Sequence, residues 1–169
     1  MSKIDSFSFQ GVNGAYSESA GKSIYPEASS IACKTFEEMF QCVREDKANI
    51  AIVPIENSKA GRVADTQRLI PDSNLKIIGE YFLEVHHCLL APAGSSLNTI
   101  KRIYSHEHAI AQCRKNIINN GKDMIVVADT AGAAKMVSEL NNKEDAAIAS
   151  DLSAKIYNLE IIQSNFQDT

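Results

Sequence analysis

Nothing in this sequence offers a route into a membrane, and nothing in it concentrates positive charge. No apolar run approaches the length that a bilayer span needs. The opening residues, Met1-Ser2-Lys3-Ile4-Asp5-Ser6, are not a basic start followed by an apolar stretch, so no signal peptide is expected. The longest cationic cluster is Lys101-Arg102, and the formal net charge is -4. A broad nucleic-acid interface needs a concentrated basic face with aromatic platforms, and neither is present. The expectation is a cytoplasmic protein with neither nucleic acid nor membrane as a partner.

Cysteine is sparse. Cys33, Cys42, Cys88 and Cys113 show no Cys-x-x-Cys spacing and each lies in an apolar context, where a free thiol behaves as a small buried hydrophobe. A disulfide framework is not expected in a chain of this size and compartment. The histidines do not assemble a metal site on spacing. His86 and His87 are adjacent on a predicted strand and point to opposite faces, and His106 and His108, two apart near a helix start, are not expected to share one. There is no internal repeat and no low-complexity segment.

What remains is ordinary in composition, with 44% hydrophobic and 22% charged residues over a length of 169. That length suffices for one compact domain or two small lobes with a real core. Strand and helix signals alternate. Ser6–Gln10 reads as a strand, Gly11–Glu18 as a glycine-bearing turn into a helix starting near Ser17, and Ser29–Lys34 as a second strand. Thr35 and Glu38 form a capping box before Phe36, Met39, Phe40 and Val43, which follow helical spacing. A third strand spans Ile50–Ile55, and a short helix from Val63 to Ile70 is stopped by Pro71-Asp72. A long extended stretch from Leu75 to Leu90 suggests a strand crossing between two lobes. Further strands are expected at Ile100–Tyr104, Met124–Val127, Ala146–Ala149 and Leu159–Ile162. Helices are expected from Ser105 with Ala109, Cys113 and Ile117 on one face, from Asp129 or Thr130, and from Ser150 to Tyr157. This alternation implies an α/β protein with mainly parallel sheets.

The polar motifs cluster where such folds bind ligands. Val53-Pro54-Ile55-Glu56-Asn57-Ser58-Lys59-Ala60-Gly61 follows a buried strand. Pro54 and Gly61 shape a turn, and Asn57 and Ser58 carry directional donors and acceptors that a packed core does not use. Gly11–Ser17, Ser105–Gln112 and Asp129–Ala134 likewise lie past a strand and at a helix start. In open α/β sheets this is the ligand edge, and helix N-termini there favour anions. The expected ligand is a small anion held in a cleft between two lobes.

The sequence closely resembles the catalytic domain of the prephenate dehydratase family. The resemblance rests on Gly11-x-x-Gly14-Ala15-Tyr16-Ser17-Glu18, Val53-Pro54-Ile55-Glu56-Asn57-Ser58-x-x-Gly61, Gly79-Glu80, Ser105-His106 with Gln112-Cys113, and Thr130-Ala131-Gly132-Ala133-Ala134, in order over essentially the whole chain. It implies two α/β lobes like a type II periplasmic binding protein. The first would comprise residues 1–80 plus 164–169, and the second residues 81–163. It implies decarboxylative dehydration of prephenate to phenylpyruvate in phenylalanine biosynthesis, without a cofactor or a metal, in a homodimer or homotetramer. Asn57, Ser105 and Gln112 would then take part in catalysis. Ser58, Gly61, His106, Thr130 and Ala131 would line the substrate, and Ala15 and Tyr16 would supply loop walls and backbone contacts. Glu56 is either a base or a brace for its loop.

Two departures from the family pattern stand out. Asp129 occupies a position where the family usually has Ser, and the Thr-Arg-Phe segment and the regulatory ACT domain are not found, so a truncated form is expected. Two alternatives remain on the same scaffold: an arogenate dehydratase, and a small-anion-binding protein without chemistry.

Overall fold

A computed structural model describes residues 3–168. The chain divides into two compact units, one formed by the residues up to Val12 with Tyr16–Leu83, the other by Asn13–Ala15 with the residues from Glu84 onward.

In the first unit, β1 (Ser6–Gln10) is central, flanked in parallel by β2 (Ser29–Cys33) and β3 (Ile50–Ala51). Helix α1 (Tyr16–Ile24) returns over β1, and Gly21 lets it lie directly on the Phe7 ring, with no room for a Cβ. Helix α2 (Phe36–Arg44) is capped as its sequence predicts: Thr35 Oγ1 accepts from Glu38 N at 3.1 Å, while Glu38 Oε2 accepts from Lys34 N at 2.8 Å. Met39 and Phe40 bury against Cys33, with Ile31, Phe36, Val53 and Leu69 around them. After β3 the chain forms a small hairpin of β4 (Glu56–Asn57) and β5 (Gly61–Arg62), then α3 (Ala64–Leu69). The buried Thr66 hydroxyl ties α3 back to the carbonyls of Pro54 at 2.8 Å and Val63 at 2.9 Å.

The second unit is built on a five-stranded sheet in the order β10-β6-β9-β7-β8. Its strands are β6 (Cys88–Ala91), β7 (Arg102–Ser105), β8 (Asp123–Val126), β9 (Asp145–Ala149) and β10 (Glu160–Gln163). The pairs β7–β8 and β7–β9 are parallel, and β6–β9 and β10–β6 antiparallel. Strand alternation sorts the core onto two faces. Leu89, Ala91, Ile103, Ala146 and Ile148 pack beneath α4 (Glu107–Gln112) and α5 (Arg114–Asn119). Cys88, Leu90, Ala147 and Ala149 meet α6 (Thr130–Leu140) and α7 (Asp151–Tyr157). Both faces are covered, which is why every residue of β6 and β9 is buried.

The α/β class and the predominance of parallel pairing agree with expectation, and four details differ. Of the predicted strand 75–90 only Cys88–Ala91 pairs; the chain before it has no ladder partner, and Ile77 and Phe82 are 77% and 85% exposed. Of the predicted strand 50–55 only Ile50–Ala51 does. The helix expected from Ser105 starts at Glu107 and breaks at Cys113 (φ -114°, ψ 7°), although Ala109, Cys113 and Ile117 do share a buried face. Finally, residues 164–168, assigned from sequence to the first lobe, belong to the second unit. Phe166 is fully buried with Leu89, Ile103 and Ile117, and its N–H donates to His87 O at 2.7 Å. Thr169, grouped with them, lies outside the described residues.

Candidate active-site residues

In the second unit the candidates gather at one edge of the sheet. The parallel strands β8, β7 and β9 all end there, in register Ser105↔Val126 and Tyr104↔Ala147, and the antiparallel β6 starts there, with Cys88 opposite Ala149. His106, Thr130, Ala131, Ser150 and His87 are therefore neighbours of that edge, where sheets of this kind bind ligands.

Ser105 closes β7. It is fully buried, and its hydroxyl donates to Ile148 O at 2.6 Å, across the sheet to β9. The N-cap of the helix that follows is His106, whose extended backbone sets its Nδ1 to accept from His108 N at 3.3 Å. The same backbone brings the two imidazoles to 5.0 Å between ring centroids, against the expectation that they would diverge; the face rule for helix interiors does not apply to a cap.

Gln112 ends α4, seven residues but not two helical turns from Ser105, because Ser105 is in a strand. Its Oε1 lies 3.2 Å from Nε2 of the buried His87. Its backbone carbonyl accepts from Asp168 N at 2.7 Å. With Oε1 engaged, the side-chain NH₂ is what Gln112 can offer a ligand.

Asp129, the departure from the family pattern, is the N-cap of α6: its Oδ1 accepts from Gly132 N at 2.5 Å, and a Cβ at Gly132 would stand 2.7 Å from Oδ2. Its charge is held at a helix N-terminus, where it is favourable. Thr130 is thereby the first residue of the helix, and Ala131 behind it is buried.

The Ala15 segment is held by hydroxyls that the sequence reading did not single out. Ser150 and Ser153 Oγ donate to Gly14 O at 2.6 and 3.0 Å, and Tyr157 OH donates to Asn13 O at 2.6 Å. All three lie at α7, so three side chains fix two consecutive carbonyls ahead of Ala15. Gly14 has φ +96° and packs against Ser153. His87 was also missed. Its only sequence signal is a histidine just before an apolar strand.

In the first unit, Tyr16 begins α1 after the turn that leaves β1, and Asn57, Ser58 and Gly61 form the hairpin beyond β3. Asn57 Oδ1 accepts from Lys59 N at 2.9 Å and Ala60 N at 3.0 Å, closing an Asx turn in which the side-chain NH₂ takes no part. Ser58 is exposed, and Gly61 has φ +84° with open space where a Cβ would stand, so backbone conformation alone requires glycine there. Glu56 is exposed on β4. Among the described residues no group of three or more His, Cys, Asp or Glu side chains is arranged to hold a metal, and no helix is long and apolar enough to cross a membrane.

A family model described as prephenate dehydratase matches residues 7–169. The chain belongs to the prephenate dehydratase family. It is 44% identical over 160 residues to a bifunctional N-acyl-homoserine lactone acylase/prephenate dehydratase of Komagataeibacter europaeus, covering 95% of this chain and 57% of that one. It is 41% identical over 160 residues to arogenate dehydratase/prephenate dehydratase 2, chloroplastic, of Arabidopsis thaliana, covering 95% and 42%. The crystal structure of an Arthrobacter aurescens prephenate dehydratase in complex with L-Phe superposes with a TM-score of 0.87 at 31% identity, over 97% of this chain and 56% of that one. The chain spans about half the length of the curated relatives it matches.

Proposed function

We propose that this chain converts prephenate to phenylpyruvate, with loss of water and carbon dioxide, in phenylalanine biosynthesis. The family match over residues 7–169 carries the reading. The reaction needs no cofactor because aromatisation of the ring drives departure of the carboxylate and the hydroxyl. The protein must orient a dianion, assist the leaving hydroxyl with a proton or hydrogen bond, and place the departing carboxylate where it is poorly solvated.

The two amide candidates suit the second task. Asn57 and Gln112 each have the carbonyl oxygen engaged within the protein, which leaves NH₂ groups of fixed orientation as neutral donors. His106, Thr130 and Ala131 line the strand-end edge of the second unit, Ala15 contributes its held backbone, and Tyr16, Ser58 and Gly61 act in the first unit. Ser105 serves this arrangement by holding β7 to β9 through its hydroxyl. The enzyme acts in the cytoplasm as a homodimer or homotetramer.

The deciding assay follows phenylpyruvate formation from prephenate, with arogenate and an N-acyl-homoserine lactone as parallel substrates. The two parallel substrates are chosen because the Arabidopsis and Komagataeibacter relatives carry those activities in their names. A version extended by the family's Thr-Arg-Phe segment runs beside the 169-residue chain. Turnover of prephenate by either form supports the proposal. Preference for arogenate moves the assignment to that substrate. Saturable binding without product in both forms establishes the non-catalytic alternative.

A further inference from the structure

A pair of thiols stands apart from all of these residues. Cys33 is the last residue of β2 and Cys42 lies in the last turn of α2, and their sulfurs are 3.7 Å apart with no bond between them. Both line an open pocket of about 240 Å³, together with Glu38, Gln41, Glu45 and Lys47. None of the candidate substrate residues lines it.

We propose that Cys33 and Cys42 form a reversible disulfide when a peroxide or a small-molecule disulfide enters this pocket, which makes it a thiol-modification site separate from the prephenate chemistry. A disulfide bond is about 2.05 Å long, so the sulfurs must approach by less than about 2 Å, within the reach of side-chain torsions. The two thiols are not equivalent. Cys33 is 4% exposed, whereas Cys42 is only half-buried and meets the oxidant first. Burial, the hydrogen bond to Cys42 and the Cys42 and Glu38 charges push the Cys33 thiol up to about 12, so it stays protonated at neutral pH. Lys47, which lines the same pocket, is paired with Glu45 at 2.6 Å.

The order of events follows from access: Cys42 is half-buried and Cys33 buried, and the sulfur that meets the oxidant reacts as its thiolate. The Cys42 thiolate attacks one oxygen of hydrogen peroxide; the O–O bond breaks, leaving Cys42 as a sulfenic acid and releasing hydroxide. The Cys33 sulfur then displaces the sulfenic oxygen, which leaves as water with the Cys33 proton. Each sulfur has lost one electron and the peroxide has gained two. With an oxidised low-molecular-weight disulfide, Cys42 first forms a mixed disulfide, and Cys33 releases the second thiol.

Peptide mapping tests this on the intact folded chain. Trypsin cuts after Lys22, Lys34 and Arg44, placing the two cysteines on separate peptides that only a disulfide can join. Treatment with hydrogen peroxide, or with oxidised glutathione, is expected to yield the joined peptides at a mass lower by two hydrogens, reverting with dithiothreitol. Cys88 and Cys113, both buried, are expected to remain reduced. In Cys42→Ser, Cys33 is expected to remain reduced at the same dose. The proposal is overturned if Cys42 is modified without joining Cys33, if neither thiol reacts at doses that leave the fold intact, or if joined peptides form equally with Cys88 or Cys113. The readout is independent of catalysis, so loss of the prephenate assignment would leave it standing.

Discussion

His87 Nε2 lies 3.2 Å from Gln112 Oε1, although the two residues are 25 apart in sequence. The histidine cannot drift: its N–H donates to Gln167 Oε1 at 2.9 Å and its carbonyl accepts from Phe166 N at 2.7 Å. A buried, backbone-pinned imidazole thus fixes which end of the Gln112 amide faces away. His87→Leu is expected to lower kcat on prephenate roughly tenfold, the worth of about one hydrogen bond of orientation, with a smaller change in KM. If His87 only supports the fold, the variant will lose thermal stability while its folded fraction turns over normally.

Gly14 is placed where two requirements coincide. Its φ of +96° disfavours side-chain-bearing residues, and a Cβ would collide with Ser153, whose hydroxyl holds the Gly14 carbonyl. Gly14→Ala is expected to destabilise by about 2–4 kcal/mol, combining left-handed backbone strain with overpacking. Ser153→Ala, which removes one of two hydroxyls on the same carbonyl, should cost only about 1 kcal/mol. Urea unfolding midpoints of the two variants test the difference. Equal effects would mean that the hydroxyl, rather than the backbone, sets the turn.

The last described residues behave as core and cap. Asp168 accepts from Lys115 N at 2.9 Å and Asn116 N at 3.0 Å, supplying from a distance the side-chain cap that Cys113 does not give α5. Phe166→Ala should destabilise by about 3–5 kcal/mol as a fully buried aromatic, and Asp168→Ala by about 1 kcal/mol as a lost cap. Denaturant curves check both. A negligible effect of Phe166→Ala would show that this segment does not belong to the folded second unit.

These elements show where sequence reasoning succeeds and where it stops. Residues Ser6–Gln10 and Thr35–Arg44 were legible because alternation, capping and helical spacing are local, and each points to the structure found. Leu75, Ile77 and Ile78 carry a strand-like pattern too, but a strand exists only by pairing, and pairing is decided elsewhere in the chain. The carboxyl-end loops were visible as polar runs after apolar ones. The hydroxyls of Ser150, Ser153 and Tyr157 were not, because their acceptors are 136 to 144 residues away and the local spacing announces only a helix cap. Ser105 illustrates the reverse: a hydroxyl at the right motif position turns out to be committed to a neighbouring strand.

Cys33 predicts an alkaline effect with a definite sign. Its thiol is raised from 9.0 to about 12, chiefly by burial, so above pH 9 the unfolded chain releases a proton that the folded chain keeps. The unfolded state then binds fewer protons, and stability falls as pH rises from 9.0 toward 12. The slope from one such group is about 1.4 kcal/mol per pH unit. Other groups titrate in this range, so the informative quantity is the stability gap between the wild-type chain and Cys33→Ala. That gap should close as pH rises above about 9. Parallel unfolding curves for the two proteins across this window would show that the thiol is not held protonated by the fold.

Asn57 allows turn geometry to be separated from chemistry. Its Oδ1 closes the hairpin turn onto Lys59 and Ala60, and the proposed role in catalysis belongs to the Nδ2 donor. Asn57→Asp keeps the acceptor oxygen, and with it the turn, but replaces the donor by a second oxygen carrying negative charge toward an anionic substrate. Asn57→Ala removes both. Since one well-placed donor to a developing charge is worth roughly 100-fold or more in rate, both variants should lose at least that much kcat/KM on prephenate, and Asp should lose more through charge repulsion. Thermal stability should separate them the other way, with Asp close to wild type and Ala lower by about 1 kcal/mol. An Asn57→Asp enzyme that retains activity would assign Asn57 to the turn alone.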